Sequence, residues 1–120
     1  MTFCLTTEII KPENDISINN AVILLHGYGG DGKDISMLVL NWKRFLPNTI
    51  FFCPNGHEVC PINPSGYQWF DLTKDDPDYI VKQSKKAEKK IQKFIDEVKI
   101  KYKLKNSQIC LSGFSQGCMM

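Results

Sequence analysis

A serine that could act as a nucleophile lies near the end of the chain, in the pentapeptide Gly113-Phe114-Ser115-Gln116-Gly117. The pattern G-x-S-x-G after a buried strand is typical of the sharp turn that presents the serine hydroxyl of acyl-transfer enzymes. Side chains at positions 113 and 117 would collide across such a turn, which favours the two glycines. A helix beginning near Gln116 would offer its N–H to a developing oxyanion. A strand-to-loop turn with an incidental serine is the alternative interpretation.

A second backbone donor is predicted in the glycine-rich loop that follows an earlier apolar segment, residues 21–25. Acyl-transfer sites commonly take this donor from the loop after an earlier strand, and here the Tyr28 N–H is the candidate. The same loop, from Gly27 to Asp34, nearly matches the phosphate-binding pattern G-x-x-x-x-G-K-[ST]. Asp34 stands where that pattern needs a hydroxyl, and its negative charge disfavours nucleotide binding. A glycine-rich turn with no ligand role is also open.

Strand-like and helix-like segments alternate along the chain, which predicts a mostly parallel α/β sheet with flanking helices. Strands are predicted over residues 3–10, 21–25, 49–53 and 108–112. Helices are predicted over residues 33–45 and 77–102, where apolar side chains recur at helical spacing. Residues 57–76 are predicted to form a long irregular loop, and loops of that length tend to be functional.

The composition limits the partners and the compartment. With 120 residues, 42% of them hydrophobic and 23% charged, the chain fits one small globular domain. A formal charge of +2 is too small to predict a nucleic-acid or membrane partner, and no segment resembles a signal peptide or a membrane span. Five cysteines without C-x-x-C spacing predict free thiols in a reducing compartment, which indicates a cytoplasmic protein. Neither His26 nor His57 has ligand spacing to a cysteine pair, so no metal is expected.

Four sequence blocks together resemble the phospholipase/carboxylesterase family, which includes acyl-protein thioesterases. They are Leu25-His26-Gly27-Tyr28-Gly29-Gly30, Pro54-Asn55-Gly56, Tyr67-Gln68-Trp69-Phe70-Asp71-Leu72 and Gly113-Phe114-Ser115-Gln116-Gly117, in the family's order. The resemblance covers the chain from about Ala21 to its end and implies the α/β-hydrolase fold. It also implies a serine esterase with a Ser-Asp-His triad in that chain order, without a cofactor.

Carried over from the family, Ser115 is the catalytic nucleophile, and the Tyr28 and Gln116 N–H groups form the oxyanion hole. Trp69 lies in the loop that borders the substrate pocket. Family substrates are carboxylic esters, lysophospholipids and acyl thioesters. One departure from the family's pattern is Cys118, which stands where a second glycine usually follows the pentapeptide, and its thiol could crowd the next helix.

A larger departure is that the family's aspartate and histidine lie far downstream of the serine, whereas this chain ends at Met120. We therefore interpret residues 1–120 as the N-terminal part of a single α/β-hydrolase domain, truncated after the strand that carries the nucleophile. Without a general base the chain is expected to be inactive, and strand 108–112 is expected to be an exposed apolar edge. A complementary C-terminal chain could supply the missing groups. The alternative is a catalytically dead hydrolase-like fragment that has a binding role or none.

The remaining candidates for chemistry favour structural roles. His26 and Asp71 are expected to fix loops by hydrogen bonding, and His57 to pack in a loop or face solvent, rather than to serve as triad members. The lysines of helix 77–102 are expected to form a solvated face, although contact with an acidic membrane or nucleic acid is open. We expect no nucleic-acid partner and no stable membrane insertion. These lysines are Lys82, Lys85, Lys86, Lys89, Lys90, Lys93 and Lys99.

Overall fold

The computed structural model describes residues 3–13 and 17–120. The described chain folds into a four-stranded sheet, a two-stranded ribbon and helices on both faces of the sheet. The strands are β1 (Thr7–Ile10), β2 (Asn20–Leu25), β3 (Thr49–Pro54), β4 (Glu58–Val59), β5 (Tyr67–Gln68) and β6 (Ile109–Gly113). The α-helices are α1 (Gly32–Ile35), α2 (Val39–Trp42) and α3 (Pro77–Tyr102). Four 3₁₀ turns span Ser36–Leu38, Lys43–Phe45, Asn106–Gln108 and Ser115–Met119.

The four-stranded sheet has the order β1-β3-β2-β6. Strand β2 pairs in parallel with both β3 and β6, and β1 pairs antiparallel with β3. Parallel strands need long crossover connections, which α1–α2 and α3 provide. The predicted mostly parallel α/β sheet is confirmed. Because β2 and β6 are adjacent and parallel, the loop after β2 and the turn after β6 emerge at the same end of the sheet's strands.

Each face of the sheet has its own apolar core. On one face, Leu25 of β2 and Phe52 of β3 pack against Phe94 of α3. On the other face, Leu24 and Phe51 pack with the apolar side chains of α1 and α2. The strand side chains alternate between these two cores, as expected for strands that are covered on both faces.

Helix α3 has the bounds that its sequence pattern predicts. The Asp76 carboxylate accepts hydrogen bonds from the Asp78 and Tyr79 N–H groups, and Pro77 occupies the first helical position. The helix ends where Lys103 adopts the left-handed conformation, with φ 54° and ψ 46°. The buried stripe of α3 consists of Ala87, Ile91, Phe94 and Val98.

The prediction of one continuous helix over residues 33–45 is wrong. Short α-helical and 3₁₀ turns alternate there, and of the apolar side chains only Ile35 and Val39 are buried. The Ser36 hydroxyl donates to the Lys33 carbonyl at 2.6 Å, which satisfies that carbonyl at the i−3 spacing of a 3₁₀ turn. Apolar side chains recur at nearly the same spacing in both helix types, so the sequence pattern does not distinguish them.

Three other segments also differ from the prediction. The first strand is shorter than residues 3–10, since pairing begins at Thr7. The stretch 57–76 is not wholly irregular, because β4 and β5 form an antiparallel ribbon in which Glu58 pairs with Gln68. The helix predicted to begin near Gln116 is a 3₁₀ turn over Ser115–Met119.

Strand β6 is an edge strand among the described residues, with only β2 beside it. Cys110 and Leu111 are exposed, Leu111 by 46%, and the adjoining Phe114 is exposed by 60%. The expected apolar edge is therefore present in the described chain. No helix within the described residues is long and apolar enough to traverse a bilayer.

Candidate active site

Ser115 lies two residues after the end of β6 and has a positive φ of 52°. A side chain in this region is strained, and such strain persists only where the surrounding structure holds it. Residues 113–117, which we call the serine turn, are held in part by two backbone hydrogen bonds. The Phe114 N–H donates to the Leu25 carbonyl at 3.0 Å, and the Gly117 N–H donates to the Phe114 carbonyl at 2.9 Å. The turn thereby places the serine side chain at the surface.

The two glycines of the serine turn are required by close backbone approach. A Cβ on Gly113 would overlap the carbonyl group of Gly117. A Cβ on Gly117 would overlap the backbone carbonyl oxygens of Leu25 and His26. These contacts explain why the pentapeptide carries glycine on both sides of its serine, as predicted.

The loop after β2 comes close to the serine. We call residues 26–30 the glycine loop. A Cβ on Gly27 would lie 3.3 Å from the Ser115 Cβ, so the absence of a side chain lets the two segments approach. Within residues 3–13 and 17–120, neither the Tyr28 N–H nor the Gln116 N–H donates to a protein acceptor. Two backbone donors on the two turns are therefore available to bind a ligand.

His26 fixes the glycine loop through both ring nitrogens. Its Nε2 accepts from the Gly56 N–H at 2.8 Å, and its Nδ1 lies 2.6 Å from the Gly27 carbonyl oxygen. The Nδ1–H tautomer satisfies both contacts, since Nε2 then accepts and Nδ1 donates. Burial lowers the pKa of this imidazole below its ordinary value and keeps the ring neutral. The ring is a structural group, as predicted, and has no free nitrogen to serve as a base.

Trp69 lies beneath the glycine loop rather than at its surface. Its side chain is fully buried, its Nε1–H donates to the His26 carbonyl at 2.9 Å, and its indole stacks on the imidazole with ring centroids 5.0 Å apart. The indole lines neither of the two cavities described below. That its loop borders the substrate pocket stays a prediction.

The Gln116 side chain connects the serine turn to the segment that carries Trp69. It is 1% exposed, its Oε1 accepts from the Trp69 N–H, and its Nε2 donates to the Phe70 carbonyl, both at 2.9 Å. Sequence reasoning assigned only a backbone role to Gln116. The signal for the side-chain role was the glutamine itself, whose amide can donate and accept at once.

The glycine loop is also paired with strand β5. The Gly29 N–H donates to the Tyr67 carbonyl at 2.9 Å, and the Tyr67 N–H donates to the Gly30 carbonyl at 2.8 Å. Gly29 adopts a φ of 80°, which is open to glycine at little cost. Sequence reasoning missed this pairing, because nothing local relates a loop near residue 29 to a strand near residue 67.

Of the other candidate acids and bases, Asp71 has several hydrogen bonds and the His57 ring has none among the described residues. Asp71 accepts from the Thr73 N–H, the Thr73 hydroxyl and the Tyr79 hydroxyl, each at 2.9 Å. These hydrogen bonds lower the pKa of Asp71 and fix its loop, as predicted. The His57 Nε2 lies 3.6 Å from a carboxylate oxygen of Glu58, and its ring is almost fully buried.

The phosphate-loop alternative does not fit the geometry of residues 27–34. The Gly32 N–H donates to the Asn55 side chain and the Asp34 N–H to the Asp31 carboxylate, both at 2.7 Å. These N–H groups are therefore occupied by protein acceptors. Among the described residues, no group of three or more His, Cys, Asp or Glu side chains could hold a metal ion.

An open groove of about 350 Å³ adjoins the serine turn. It is lined by Phe114, by the glycine loop and by side chains that follow that loop, which are Asp31, Asp34, Ile35, Met37 and Leu38. Its walls are mainly apolar. On the opposite side of the turn, the Cys118 Sγ lies 2.7 Å from the Gly113 carbonyl oxygen, so the thiol packs tightly against the turn.

Comparison with known proteins identifies the family of the chain. The sequence matches the phospholipase/carboxylesterase family over residues 6–120. The chain belongs to this family. Its structure matches that of esterase PE8 with a TM-score of 0.88 at 34% identity, over 97% of this chain and 54% of PE8. The predicted family and the α/β-hydrolase fold are thereby confirmed.

Two more distant structures support the fold alone. A carboxylesterase from Mesorhizobium loti matches at 21% identity and a TM-score of 0.62, over 85% of this chain and 46% of that protein. Acyl-protein thioesterase 2 from Zea mays matches at 23% identity and a TM-score of 0.54, over 93% and 47%. The chain thus spans about half the length of the family structures it matches.

Proposed function

We propose that this chain carries the nucleophile and oxyanion hole of a serine hydrolase that cleaves carboxylic esters or acyl thioesters. Ser115 is the nucleophile, and the Tyr28 and Gln116 N–H groups bind the oxyanion. The proposal rests chiefly on the strained backbone of Ser115, with φ 52°, on a turn that lies against the glycine loop. Membership of the phospholipase/carboxylesterase family supports the same chemistry.

The proposed reaction starts with attack of the Ser115 hydroxyl oxygen on the carbonyl carbon of the ester or thioester. The carbonyl oxygen gains negative charge, and the two free N–H groups stabilise it. The general base takes the hydroxyl proton during the attack and returns it to the alcohol or thiol, which leaves as its bond to the carbonyl carbon breaks. Water later hydrolyses the acyl-serine and regenerates the hydroxyl. Apolar acyl groups fit the mainly apolar walls of the groove beside Phe114.

We further propose that residues 1–120 form the N-terminal part of one hydrolase domain, and that the acid and base come from outside them. The serine needs an adjacent general base, and the chain has two histidines. His26 uses both ring nitrogens, and His57 lies in a cavity that shares no residue with the groove. The chain alone is therefore expected to give no turnover.

Hydrolysis of p-nitrophenyl acetate tests both parts of the proposal. The purified chain should show no turnover. Expressed with a segment that carries a downstream Asp and His, such as one encoded beyond the codon for Met120, it should hydrolyse the ester, and Ser115→Ala should abolish the activity. Cys118→Ala is the matched control, because this exposed thiol lies near the serine and could itself be acylated.

The outcomes separate the two hypotheses. Turnover by the chain alone that depends on Ser115 would overturn the proposal that the base lies elsewhere. An assembled domain that folds but does not hydrolyse the ester would overturn the nucleophile assignment. That second result would favour a catalytically dead hydrolase-like protein with a binding role.

A further inference from the structure

A second cavity, of about 550 Å³, lies between the segment before β1, the loop after β3 and helix α3. It shares no lining residue with the groove beside Phe114. Polar side chains dominate its walls, and four of them are acidic or basic. They are His57, Glu58, Lys86 and Lys90.

His57 and Glu58 bring unpartnered buried atoms to this cavity. The His57 side chain is 8% exposed, and neither of its ring nitrogens has a hydrogen-bond partner among the described residues. The same holds for Glu58 Oε1, which lies 3.6 Å from His57 Nε2. Buried polar atoms almost always have a partner, so unsatisfied ones beside a roomy polar cavity point to a ligand or ordered water.

Lys86 and Lys90 give the cavity its positive charge. They lie four residues apart on α3, which places both side chains on the same side of the helix. Neither forms an ion pair within the described residues. Burial lowers the pKa of His57, and the two ammonium groups act in the same direction against the opposing effect of Glu58. The imidazole is therefore neutral near pH 7 and offers one N–H donor.

We propose that this cavity binds a phosphate group, either inorganic phosphate or the phosphate of a monoester. Lys86 and Lys90 neutralise the anionic oxygens, His57 donates a hydrogen bond, and Glu58 accepts one from the P–OH group. The Glu58 acceptor favours phosphate over sulfate or a carboxylate, because those anions carry no proton to donate near neutral pH. This inference does not depend on the role of Ser115.

Binding of inorganic phosphate to the full chain, measured by isothermal titration calorimetry at pH 6, tests the proposal. Phosphate is largely protonated at this pH and sulfate is not. We expect saturable binding at one site, with sulfate about tenfold weaker, since one lost hydrogen bond to a charged group is worth about that factor. Glycerol 3-phosphate distinguishes the two sources: tighter binding than phosphate indicates a monoester ligand, and weaker binding indicates the free anion.

A matched pair of double variants localises the binding. Lys86→Gln with Lys90→Gln should weaken phosphate binding at least about tenfold, because two charge-assisted contacts are lost. Lys85→Gln with Lys89→Gln removes the same charge from the same helix outside the cavity, and should change binding less than about threefold by screening alone. Circular dichroism confirms that both variants are folded. Equal losses in the two variants, or no saturable binding by the parent chain, would overturn the proposal.

Discussion

The two turns that form the candidate site are supported in different ways. Hydrogen bonds hold the glycine loop on several sides. The His26 ring accepts from the N–H of residue 56, the backbone of Tyr67 pairs with the loop, and the Trp69 indole donates to a loop carbonyl. The serine turn is bonded to β2 on one side, while β6 has no strand on its other side among the described residues. One half of the site is thus positioned by contacts within this chain, and the other half is only partly supported.

This difference has a consequence for catalysis. Stabilisation of an oxyanion requires donors that are held in place before the reaction. Tyr28 belongs to the well-supported loop, whereas Ser115 and Gln116 belong to the turn next to the exposed edge. The Gln116 side chain is the main buried contact from the serine turn to the supported region. The following variants test whether stability is divided between the two turns as these contacts suggest.

The largest effect is expected for Trp69→Ala. The indole is fully buried, and its loss also leaves the His26 carbonyl without its donor. Truncation of such a side chain costs about 3–5 kcal/mol of unfolding free energy. Phe114→Ala, at a side chain 60% exposed on the serine turn, should cost less than about 1 kcal/mol. Urea unfolding followed by far-UV circular dichroism measures both, and equal losses would refute the difference in support.

Gln116→Leu is expected to lower the unfolding free energy by about 2–4 kcal/mol. The variant keeps the volume but leaves the Trp69 N–H and the Phe70 carbonyl buried without partners. Gln68→Leu is the matched control, because Gln68 is also buried but its Oε1 has no partner among the described residues. Gln68→Leu should lower the unfolding free energy by less than about 1 kcal/mol. If both variants unfolded at the same urea concentration, Gln116 would not be the link between the serine turn and the segment that carries Trp69.

These contacts also show what the sequence could and could not predict. The apolar runs of β2 and β3 and the long amphipathic pattern of α3 have local causes, so their positions were predicted within a residue or two. The motif likewise placed a serine on a turn after β6. The hydrogen bonds of Gln116 to residues 69 and 70 join segments more than 40 residues apart, and no local pattern encodes such a pairing.

A smaller effect is expected from pH through His26. Burial lowers its pKa in the folded state below the ordinary value of about 6.5, so the unfolded chain binds more protons. Its contribution to stability is complete above about pH 6.5 and is lost as the pH falls through the folded-state pKa. For a histidine whose pKa is lowered in this way, the unfolding free energy should decline by up to about 1.4 kcal/mol for each unit by which the pH falls.

Two variants assign the pH effect to the glycine loop. The pKa of His57 is lowered too. His57→Gln should therefore remove the contribution of His57 to the pH dependence of the unfolding free energy and leave that of His26. His26→Gln should flatten the remaining slope between pH 6.5 and 5, as measured by urea unfolding at each pH. A slope that survives in the double variant would show that neither imidazole is responsible.

The smallest effect is expected where a residue other than glycine has a positive φ. Lys103, at the end of α3, and Ser115 have nearly equal values of 54° and 52°. Glycine adopts this conformation without the steric cost of a Cβ, so Lys103→Gly should raise the unfolding free energy by about 0.5–1 kcal/mol. Ser115→Gly should give a gain of similar size, since the Ser115 hydroxyl has no hydrogen bond with the described residues that would offset the strain. Both gains are measured by thermal unfolding.

The comparison of these two glycine variants separates backbone strain at the end of a helix from backbone strain at the proposed nucleophile. Lys103 ends a helix, where a left-handed residue satisfies the last carbonyl groups, and glycine does this better than lysine. Ser115 ends no helix, and under the proposed function its strained conformation serves to present the hydroxyl. A loss of stability in Ser115→Gly, with a gain in Lys103→Gly, would show instead that the serine side chain stabilises its own turn.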